Sequence, residues 1–257
     1  MIIRAMDRVQ LLNASVHKLT FEQLLEQFSS GLIVFLNVDT MMKMQKDSEY
    51  AEVCREAEFV IADGQFLLYS ARFLGAALPG KVSGSDFLGA FCERHRADET
   101  VKVFLLGAGP GVADKAMNRI NDRVGRAVVI GAISPSYGFE HKPDECADIV
   151  AQINASGATV LAVGVGAPKQ EKWIAKHRSQ MPKVTRYLAV GATIDFEAGA
   201  LRRAPRWMSD NGLEWFFRLS MEPRRLYRRY LIEGPPFFWL VLRQKLGYYQ
   251  DPTRGHL

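Results

Sequence analysis

The sequence predicts an α/β protein: a Rossmann-like parallel sheet with helices on both faces, followed by a C-terminal helical appendage rich in arginine and aromatic residues. Short apolar, β-branched runs alternate with longer helical patterns from about residue 30. Near-continuous apolar strands separated by helices are typical of a parallel sheet covered on both faces. After residue 195 the alternation stops. We therefore expect a Rossmann-like domain over residues 1–195 and a membrane-associating appendage over residues 196–257.

The individual elements follow from the local patterns. β-branched runs predict strands at residues 32–37, 59–62, 101–107, 127–133, 158–166 and 184–191. Helical patterns lie between them at about 39–57, 64–76, 85–96, 111–124, 143–156 and 168–180. In the appendage, residues 196–212 predict a loop and residues 213–221 a short helix. Pro223 fits the first turn of another helix.

Length and composition are those of a globular protein. The chain has 257 residues, of which 48% are hydrophobic and 24% charged. Cys54, Cys92 and Cys146 have neither paired nor metal-type spacing, and we interpret them as reduced, buried thiols of a cytosolic protein. The first residues lack the apolar core of a signal peptide, and no stretch approaches the roughly 20 apolar residues of a transmembrane helix.

The net positive charge lies in the last 57 residues. Residues 201–257 hold ten Arg and one Lys against five acidic residues, and three of the four Trp. Guanidinium groups bind phosphate oxygens bidentately, and amphipathic aromatic side chains settle among lipid headgroups. The appendage therefore predicts a membrane-borne phosphate ligand and a peripheral position on a membrane. Because the charge is so localised, we do not expect nucleic acid as a partner.

Candidate binding residues follow the predicted strands, and ligands of such sheets bind beyond the carboxyl ends of the strands. Asn37 ends one predicted strand and Asp63 follows another. Asp63 either performs acid–base chemistry or caps the next helix. Gly107 and Gly109 belong to the glycine-rich stretch LLGAGPGV, where backbone N–H groups can approach a phosphate. A plain tight turn between strand and helix is the alternative.

Two later strand ends have a similar character. The stretch VGVGAPKQEKWI places Gly166 at a strand end and Lys169 and Gln170 in the first helical turn, where a cation and an amide suit a nucleotide or a sugar. The stretch VGATIDFEAG places Asp195 where a carboxylate can accept ribose hydroxyls. A solvated first turn and a loop-capping carboxylate are the alternatives. The sequence has no DxD motif and no histidine pairing, so we expect no metal and no other cofactor.

Taken in order, these motifs resemble the WecG/TagA/CpsF family of bacterial glycosyltransferases, glycosyltransferase family 26. The stretches that carry the resemblance are ADG, KVSGSDF, LLGAGPGV, SYGF, VGVGAPKQEKWI, VGATIDFEAG, RAPRWM, GLEWFFRL and EPRRLYRRYL. They run from residue 62 to residue 231, and the match at Asn37 extends the resemblance to residues 37–231. Phe35, where many members have Thr, and Lys81, where Arg is usual, depart from the family pattern.

The resemblance implies an inverting transferase at the cytoplasmic face of the bacterial plasma membrane. Such an enzyme moves a hexose or N-acetylhexosamine, of glucose or N-acetylmannosamine type, from a UDP-sugar to a sugar on polyprenyl diphosphate. Asp63 matches the family's proposed base. Gln170 and Asp195 lie in segments matched to the UDP-sugar site, to which we also assign Asn37, Gly107, Gly109, Tyr137, Gly166 and Lys169. Positions matched to the acceptor diphosphate are Arg203, Arg218, Arg225 and Arg228. We expect these arginines to belong to an active-site lid, formed where the appendage folds over the carboxyl edge of the sheet.

Rival functions explain fewer of the features. A non-enzymatic nucleotide- or anionic-membrane-binding module accounts for the basic appendage but not for the Gly- and acid-rich strand ends. A nicotinamide-dependent oxidoreductase needs GxGxxG after an early strand, which the sequence lacks. The donor sugar, the acceptor sugar and the oligomeric state, a homo-oligomer included, stay open.

Overall fold

Six strands form one parallel sheet in the computed structural model of the chain. The structure describes residues 7–205, 207–208 and 212–254, without the side chains of Arg225 and Arg229. The strands of the sheet are β3 (Gly31–Leu36), β4 (Phe59–Ala62), β5 (Val103–Gly107), β6 (Val129–Ile133), β7 (Val160–Gly164) and β8 (Arg186–Ala189). Their order is β4–β3–β8–β7–β5–β6. An antiparallel hairpin of β1 (Arg8–Leu11) and β2 (Ala14–His17) precedes them. The predicted α/β class with a parallel sheet is confirmed.

Helices connect the strands and cover both faces of the sheet. They are α1 (Phe21–Gln27), α2 (Val38–Met44), α3 (Ser48–Glu56), α4 (Gln65–Phe73), α5 (Gly84–Arg94), α6 (Val112–Val124), α7 (Pro143–Ser156), α8 (Lys169–His177) and α9 (Thr193–Glu197). Beyond them lie α10 (Glu214–Met221), α11 (Pro223–Tyr227) and α12 (Pro236–Lys245), with a π-helical turn at Arg228–Glu233. Short 3₁₀ turns occur at Phe139–His141 and Arg178–Gln180.

The sheet is buried on both faces because its side chains alternate between two apolar clusters. On β3, Leu32 and Val34 point into the cluster beneath α2, α3 and α8, whereas Ile33 and Phe35 point into the cluster beneath α5 and α6. Successive side chains of a strand face opposite sides. Every position of such a strand is therefore apolar, which explains why the sequence shows continuous apolar runs.

The predicted helix over residues 39–57 is two helices. The break falls before Asp47, whose carboxylate accepts a hydrogen bond from the Tyr50 backbone N–H at 2.9 Å and so caps α3. The hairpin and α1 were not predicted, because they precede the alternating pattern. In the appendage, α10 and α11 confirm the two helices expected there. Arg228 is the first residue of the π-helical turn that follows α11.

The end of the appendage packs into the core of the sheet domain. Phe237 and Val241 of α12 are buried in the cluster that also contains side chains of β3 and α2. The Gln244 side chain bonds the backbone of the β1–β2 hairpin at Leu12 N and Gln10 O, at 2.8 and 2.9 Å. The division at residue 195 stays a prediction. Among the described residues, no helix is long and apolar enough to cross a membrane.

The turn after β5 offers a matched pair of glycines. Gly107 has a φ of +141°, and a Cβ there would lie 2.4 Å from the backbone oxygen of Gly164. At Gly109 the nearest atom to such a Cβ is a side-chain methyl of Val112, 3.8 Å away. We expect Gly107→Ala to lower the free energy of unfolding by about 3 kcal/mol.

Gly109→Ala, two residues away, should change that free energy by no more than about 1 kcal/mol. Urea unfolding of both variants measures the difference. Equal losses in the two variants would show that the close approach of β5 and β7 does not require glycine at position 107.

Candidate active site

A cavity of about 840 Å³ opens at the carboxyl ends of the parallel strands, between the sheet and the appendage. The loops after the strands form one wall. Helix α10, the π-helical turn and α12 form the other, through side chains that include Trp215, Arg218, Tyr230 and Phe238. The volume is that of a typical small-molecule site. The appendage is therefore part of the site.

The cavity brings together residues that are far apart in the sequence. Eight of the residues predicted from the sequence line it: Asn37, Asp63, Tyr137, Gly166, Lys169, Gln170, Asp195 and Arg218. Gly107, Gly109, Arg203 and Arg228 do not line it, although Ala108 between the two glycines does. The side chain of Arg225 lies outside the described residues. The roles assigned to all these residues stay predictions.

Asp63 lies directly after β4, at the floor of the cavity. Its backbone N–H donates to the carbonyl of Leu36 at 2.7 Å, which ties it to the end of β3. The backbone N–H of Gly84 donates to its carboxylate at 3.3 Å. The N-cap of α4 is Gly64, with φ +113° and no side-chain cap, so the structure contradicts the alternative in which Asp63 caps this helix.

The environment of Asp63 raises the pKa of its carboxyl to about 6. Burial is the largest cause, and the negative charge of Glu214 adds to it. The charges of Lys81 and Arg218 and the Gly84 N–H lower this pKa, but by less. A carboxylate with a pKa near 6 is still mostly ionised at neutral pH and is more basic than an exposed aspartate.

Glu214 connects the appendage to the floor of the site. Its two carboxylate oxygens pair with Lys81 Nζ at 3.2 Å and with Arg218 Nη2 at 3.0 Å. The Arg218 guanidinium also lies 5.0 Å from the ring centroid of Phe196, within cation–π range. Helix α10 thus contributes one anion and one cation to the surroundings of Asp63.

Gln170 holds two loops of the cavity together. Its side-chain Oε1 accepts hydrogen bonds from the backbone N–H groups of Gly166, at 3.2 Å, and Gly191, at 3.0 Å. Its Nε2 donates to Glu171 Oε1 at 2.9 Å. Both side chains are buried, at 4% and 1% exposure. The amide therefore fixes the spacing between the loops after β7 and β8.

Glu171 is a buried carboxyl at the wall of the cavity. Its Oε2 is buried and has no hydrogen-bond partner among the described residues. Burial raises the pKa of Glu171 to about 7, although the hydrogen bond from Gln170 and the charge of Lys43 lower it. Lys43 itself, which the sequence analysis missed, donates to Asp39 Oδ2 at 2.8 Å and to the Ala167 carbonyl at 2.9 Å.

The opposite rim of the cavity carries Lys169 and Tyr137. Lys169 Nζ lies 3.3 Å from Glu140 Oε1 and 5.3 Å from the centroid of the Tyr137 ring. Tyr137 is 96% exposed. An exposed ring beside an ammonium group suits stacking of a planar base next to a phosphate.

Two further walls of the cavity depend on local packing. Asn37 caps α2, because its Oδ1 accepts from the Thr40 N–H at 3.2 Å while the Thr40 hydroxyl accepts from the Asn37 N–H at 2.7 Å. Phe35 lines the cavity and packs so closely on Gly84 that a Cβ there would lie 2.9 Å from its ring. Phe35 therefore forms an apolar wall beside the residue that donates to Asp63.

Two arginines expected at the acceptor diphosphate lie elsewhere. Arg203 pairs with Asp86, donates to the Ser85 carbonyl at 2.6 Å, and lines a second pocket of about 440 Å³. Arg228 has a side chain that is 79% exposed and pairs with Glu233 at 2.9 Å. The sequence could not separate these arginines from Arg218, because all of them belong to one basic segment.

No group of three or more His, Cys, Asp or Glu side chains that could hold a metal ion occurs in the part of the chain that the structure describes. This observation does not test the sequence-based expectation of a metal-independent enzyme, which stays a prediction.

A parallel sheet covered by helices, with a cavity at the carboxyl ends of its strands, is the architecture of nucleotide-binding α/β enzymes. Residues 9–251 match the model of the glycosyl transferase WecG/TagA/CpsF family, and the chain therefore belongs to this family. The resemblance recognised in the sequence is confirmed. Members of the family are glycosyltransferases for cell-surface polysaccharides, so the protein has a sugar donor and an acceptor.

The buried carboxyl of Glu171 predicts how stability depends on pH. In the unfolded chain this carboxyl loses its proton near pH 4.5, whereas in the folded chain it keeps it up to about pH 7. The folded state therefore binds more protons between these values, and the free energy of unfolding falls as the pH rises through them. The contribution of Glu171 to this fall is about 3 kcal/mol.

Glu171→Gln removes this contribution and keeps an acceptor for Gln170 Nε2. Urea unfolding at pH 5 and pH 7.5 should show a smaller fall for the variant than for the wild type. The contribution of Asp63 is common to both proteins and cancels in the comparison. Parallel pH dependences would mean that Glu171 titrates like an exposed glutamate.

Proposed function

We propose that the protein is an inverting, metal-independent hexosyltransferase. It moves a hexose or N-acetylhexosamine from a UDP-sugar to a sugar carried on polyprenyl diphosphate, at the cytoplasmic face of the bacterial plasma membrane. The observation that supports this most is the carboxylate of Asp63, with its raised pKa, on the floor of a cavity that also contains Lys81 and Arg218. Membership of the glycosyltransferase family supports the reaction type.

Asp63 serves as the base in this proposal. It takes the proton of the attacking acceptor hydroxyl while the oxygen of that hydroxyl forms a bond to the anomeric carbon of the donor. The bond from the anomeric carbon to UDP breaks on the opposite side, and the electron pair leaves with UDP. The proton ends on Asp63, and the configuration at the anomeric carbon inverts.

Cationic side chains stabilise the departing diphosphate. Lys81 and Arg218 line the cavity and their charges act on the base, and a guanidinium group can bind two phosphate oxygens at once. Glu214 pairs with both cations, so a diphosphate that reaches them replaces this carboxylate as their partner. The acceptor diphosphate is the second candidate ligand for the same pair.

The remaining predicted residues form the binding site for the donor. Tyr137 and Lys169 at the rim suit the uracil ring and a phosphate, and Asp195 in the first turn of α9 suits the ribose hydroxyls. Gln170 acts through the loops, because its amide oxygen is occupied by the Gly166 and Gly191 N–H groups. Phe35 offers the donor sugar an apolar wall.

The exposed part of the appendage attaches the enzyme to the membrane. Phe216, Phe238 and Trp239 are exposed by 52%, 47% and 61%. Two other aromatic side chains of the appendage are less available for this contact, since Phe237 is buried in the core and Trp215 is half-buried at the wall of the cavity. Deletion of residues 237–257 would therefore remove core side chains together with the membrane contact.

Asp63→Asn tests the base. We expect kcat/KM to fall roughly 10²- to 10⁴-fold, because the amide cannot accept the proton. In the wild type, kcat/KM should fall as the pH drops below about 6, where Asp63 becomes protonated. Turnover is measured with a panel of UDP-sugars and a synthetic lipid diphosphate acceptor.

The control for this variant is its thermal stabilisation by UDP, compared with NAD and an oligonucleotide. A folded Asp63→Asn variant that binds UDP and turns over normally would exclude Asp63 as the base. If the wild type binds UDP but transfers no sugar from any donor, the protein is a nucleotide-binding module instead.

Arg218→Ala tests the cation. We expect kcat/KM to fall about 10²-fold, a loss typical for one donor to a developing negative charge. The acid limb of the pH profile should also move to higher pH, since Arg218 lowers the pKa of Asp63. The comparison variant is Arg228→Ala, whose guanidinium is exposed and pairs with Glu233. Equal losses in both variants would contradict a special role for Arg218.

A further inference from the structure

The exposed large apolar side chains are concentrated in two parts of the molecule. Among the described residues there are fifteen such side chains, and twelve of them lie between Trp207 and Tyr248 in the appendage. Tyr137 is at the rim of the cavity. The remaining two, Tyr69 and Phe73, belong to α4, a helix of the sheet domain that starts just after Asp63.

Helix α4 lies directly beside α12 of the appendage. The rings of Phe66 and Phe238 meet edge to face with their centroids 5.6 Å apart. Lys245 Nζ lies 5.8 Å from the centroid of the Phe73 ring. Leu67 on α4 and Phe237 on α12 are buried in the same apolar cluster. The two helices therefore pack on the same apolar cluster with their buried sides, and their exposed sides lie next to each other.

The two segments that form this outer side contain no acidic residue. Residues 64–85 and 234–250 are free of Asp and Glu, although the chain has 28 acidic residues in 257. Exposed basic side chains accompany the aromatic ones, Arg72 on α4 and Lys245 on α12. Two stretches more than 140 residues apart in the sequence therefore meet in space, and both combine exposed aromatic side chains with basic ones and contain no acidic residue.

We propose that α4 and α12 together form the surface by which the protein docks on an anionic lipid bilayer. This α4–α12 face consists of Tyr69, Arg72, Phe73, Phe238, Trp239 and Lys245. The inference rests on the proposed function, which assigns membrane attachment to the appendage alone, and adds a helix of the sheet domain to it. Aromatic and basic side chains on segments that lack acidic residues match a layer of anionic headgroups over acyl chains.

The position of α4 connects this face to the site of the chemistry. Ten residues separate Asp63 from Phe73, which corresponds to about 15 Å along a helix. The base therefore lies about one helix length from the docked surface. A lipid-linked sugar diphosphate whose polyprenyl chain stays in the bilayer can then reach Asp63 without leaving the membrane.

Binding to vesicles tests the contribution of α4. Three proteins are compared: the wild type, the double variant Tyr69→Ser/Phe73→Ser, and Arg72→Glu. Each is sedimented with phosphatidylcholine vesicles that contain roughly 30% phosphatidylglycerol, because this anionic lipid gives the vesicles a negative surface potential. Lys115→Glu is the matched control, because Lys115 is exposed on α6, whose buried side chains belong to the other apolar cluster. It changes the net charge as much as Arg72→Glu does.

We expect both α4 variants to bind vesicles roughly tenfold more weakly than the wild type. Lys115→Glu should bind as the wild type does. The thermal midpoints should be unchanged, and all variants should stay active on an acceptor with a short, water-soluble prenyl chain. Vesicle binding by the α4 variants equal to that of the wild type overturns the inference and leaves the proposed function intact.

Two other outcomes also overturn it. In the first, light scattering shows that the wild type is a dimer, and the α4 substitutions dissociate this dimer without weakening vesicle binding. The α4–α12 face then contacts a second copy of the chain. If the wild type itself binds no vesicles but transfers sugar to the short-chain acceptor, membrane attachment fails as a whole while the transferase proposal stands.

Discussion

The contact of Glu214 with Lys81 and Arg218 is the interaction on which the site depends most. The pair with Lys81, at 3.2 Å, joins α10 of the appendage to the loop that precedes α5, and the pair with Arg218, at 3.0 Å, lies within α10. The contact also sets the charge around Asp63, since Glu214 raises the pKa of that carboxyl and both cations lower it. The same three side chains therefore tie the appendage to the site and adjust the pKa of the base, which burial raises most.

A second constraint fixes where the loops of the sheet stand relative to one another. Parallel strands align their carboxyl ends, but they do not determine the spacing of the loops that follow. Here the buried amide of Gln170 determines it by accepting from Gly166 and Gly191 at once. Both glycines also line the cavity, so the bonds that fix the spacing of the two loops shape the space available to a ligand.

The sequence located the site better than it assigned the roles within it. Asn37, Asp63, Gly166 and Asp195 could be placed together because residues after parallel strands meet at one edge of a sheet. Gly107 could not be interpreted from its motif, since the close backbone of Gly164 belongs to a neighbouring strand and the order of strands is not encoded in hydrophobic periodicity. The hairpin before β3 and the core positions of α12 were missed because they depend on contacts between distant segments.

The arginines of the appendage show why total charge is a poor guide to individual roles. Arg218 faces the cavity, Arg203 pairs with Asp86 of α5, and Arg228 pairs with Glu233. Their common origin in one basic segment made them equivalent in the sequence, but each has a different local partner in the fold. Exposed ion pairs of this kind contribute little to stability, so a phosphate can compete for such an arginine at low cost. Because Phe237 anchors the same segment in the core, the appendage can offer cations to a phosphate and still hold the wall of the cavity in place.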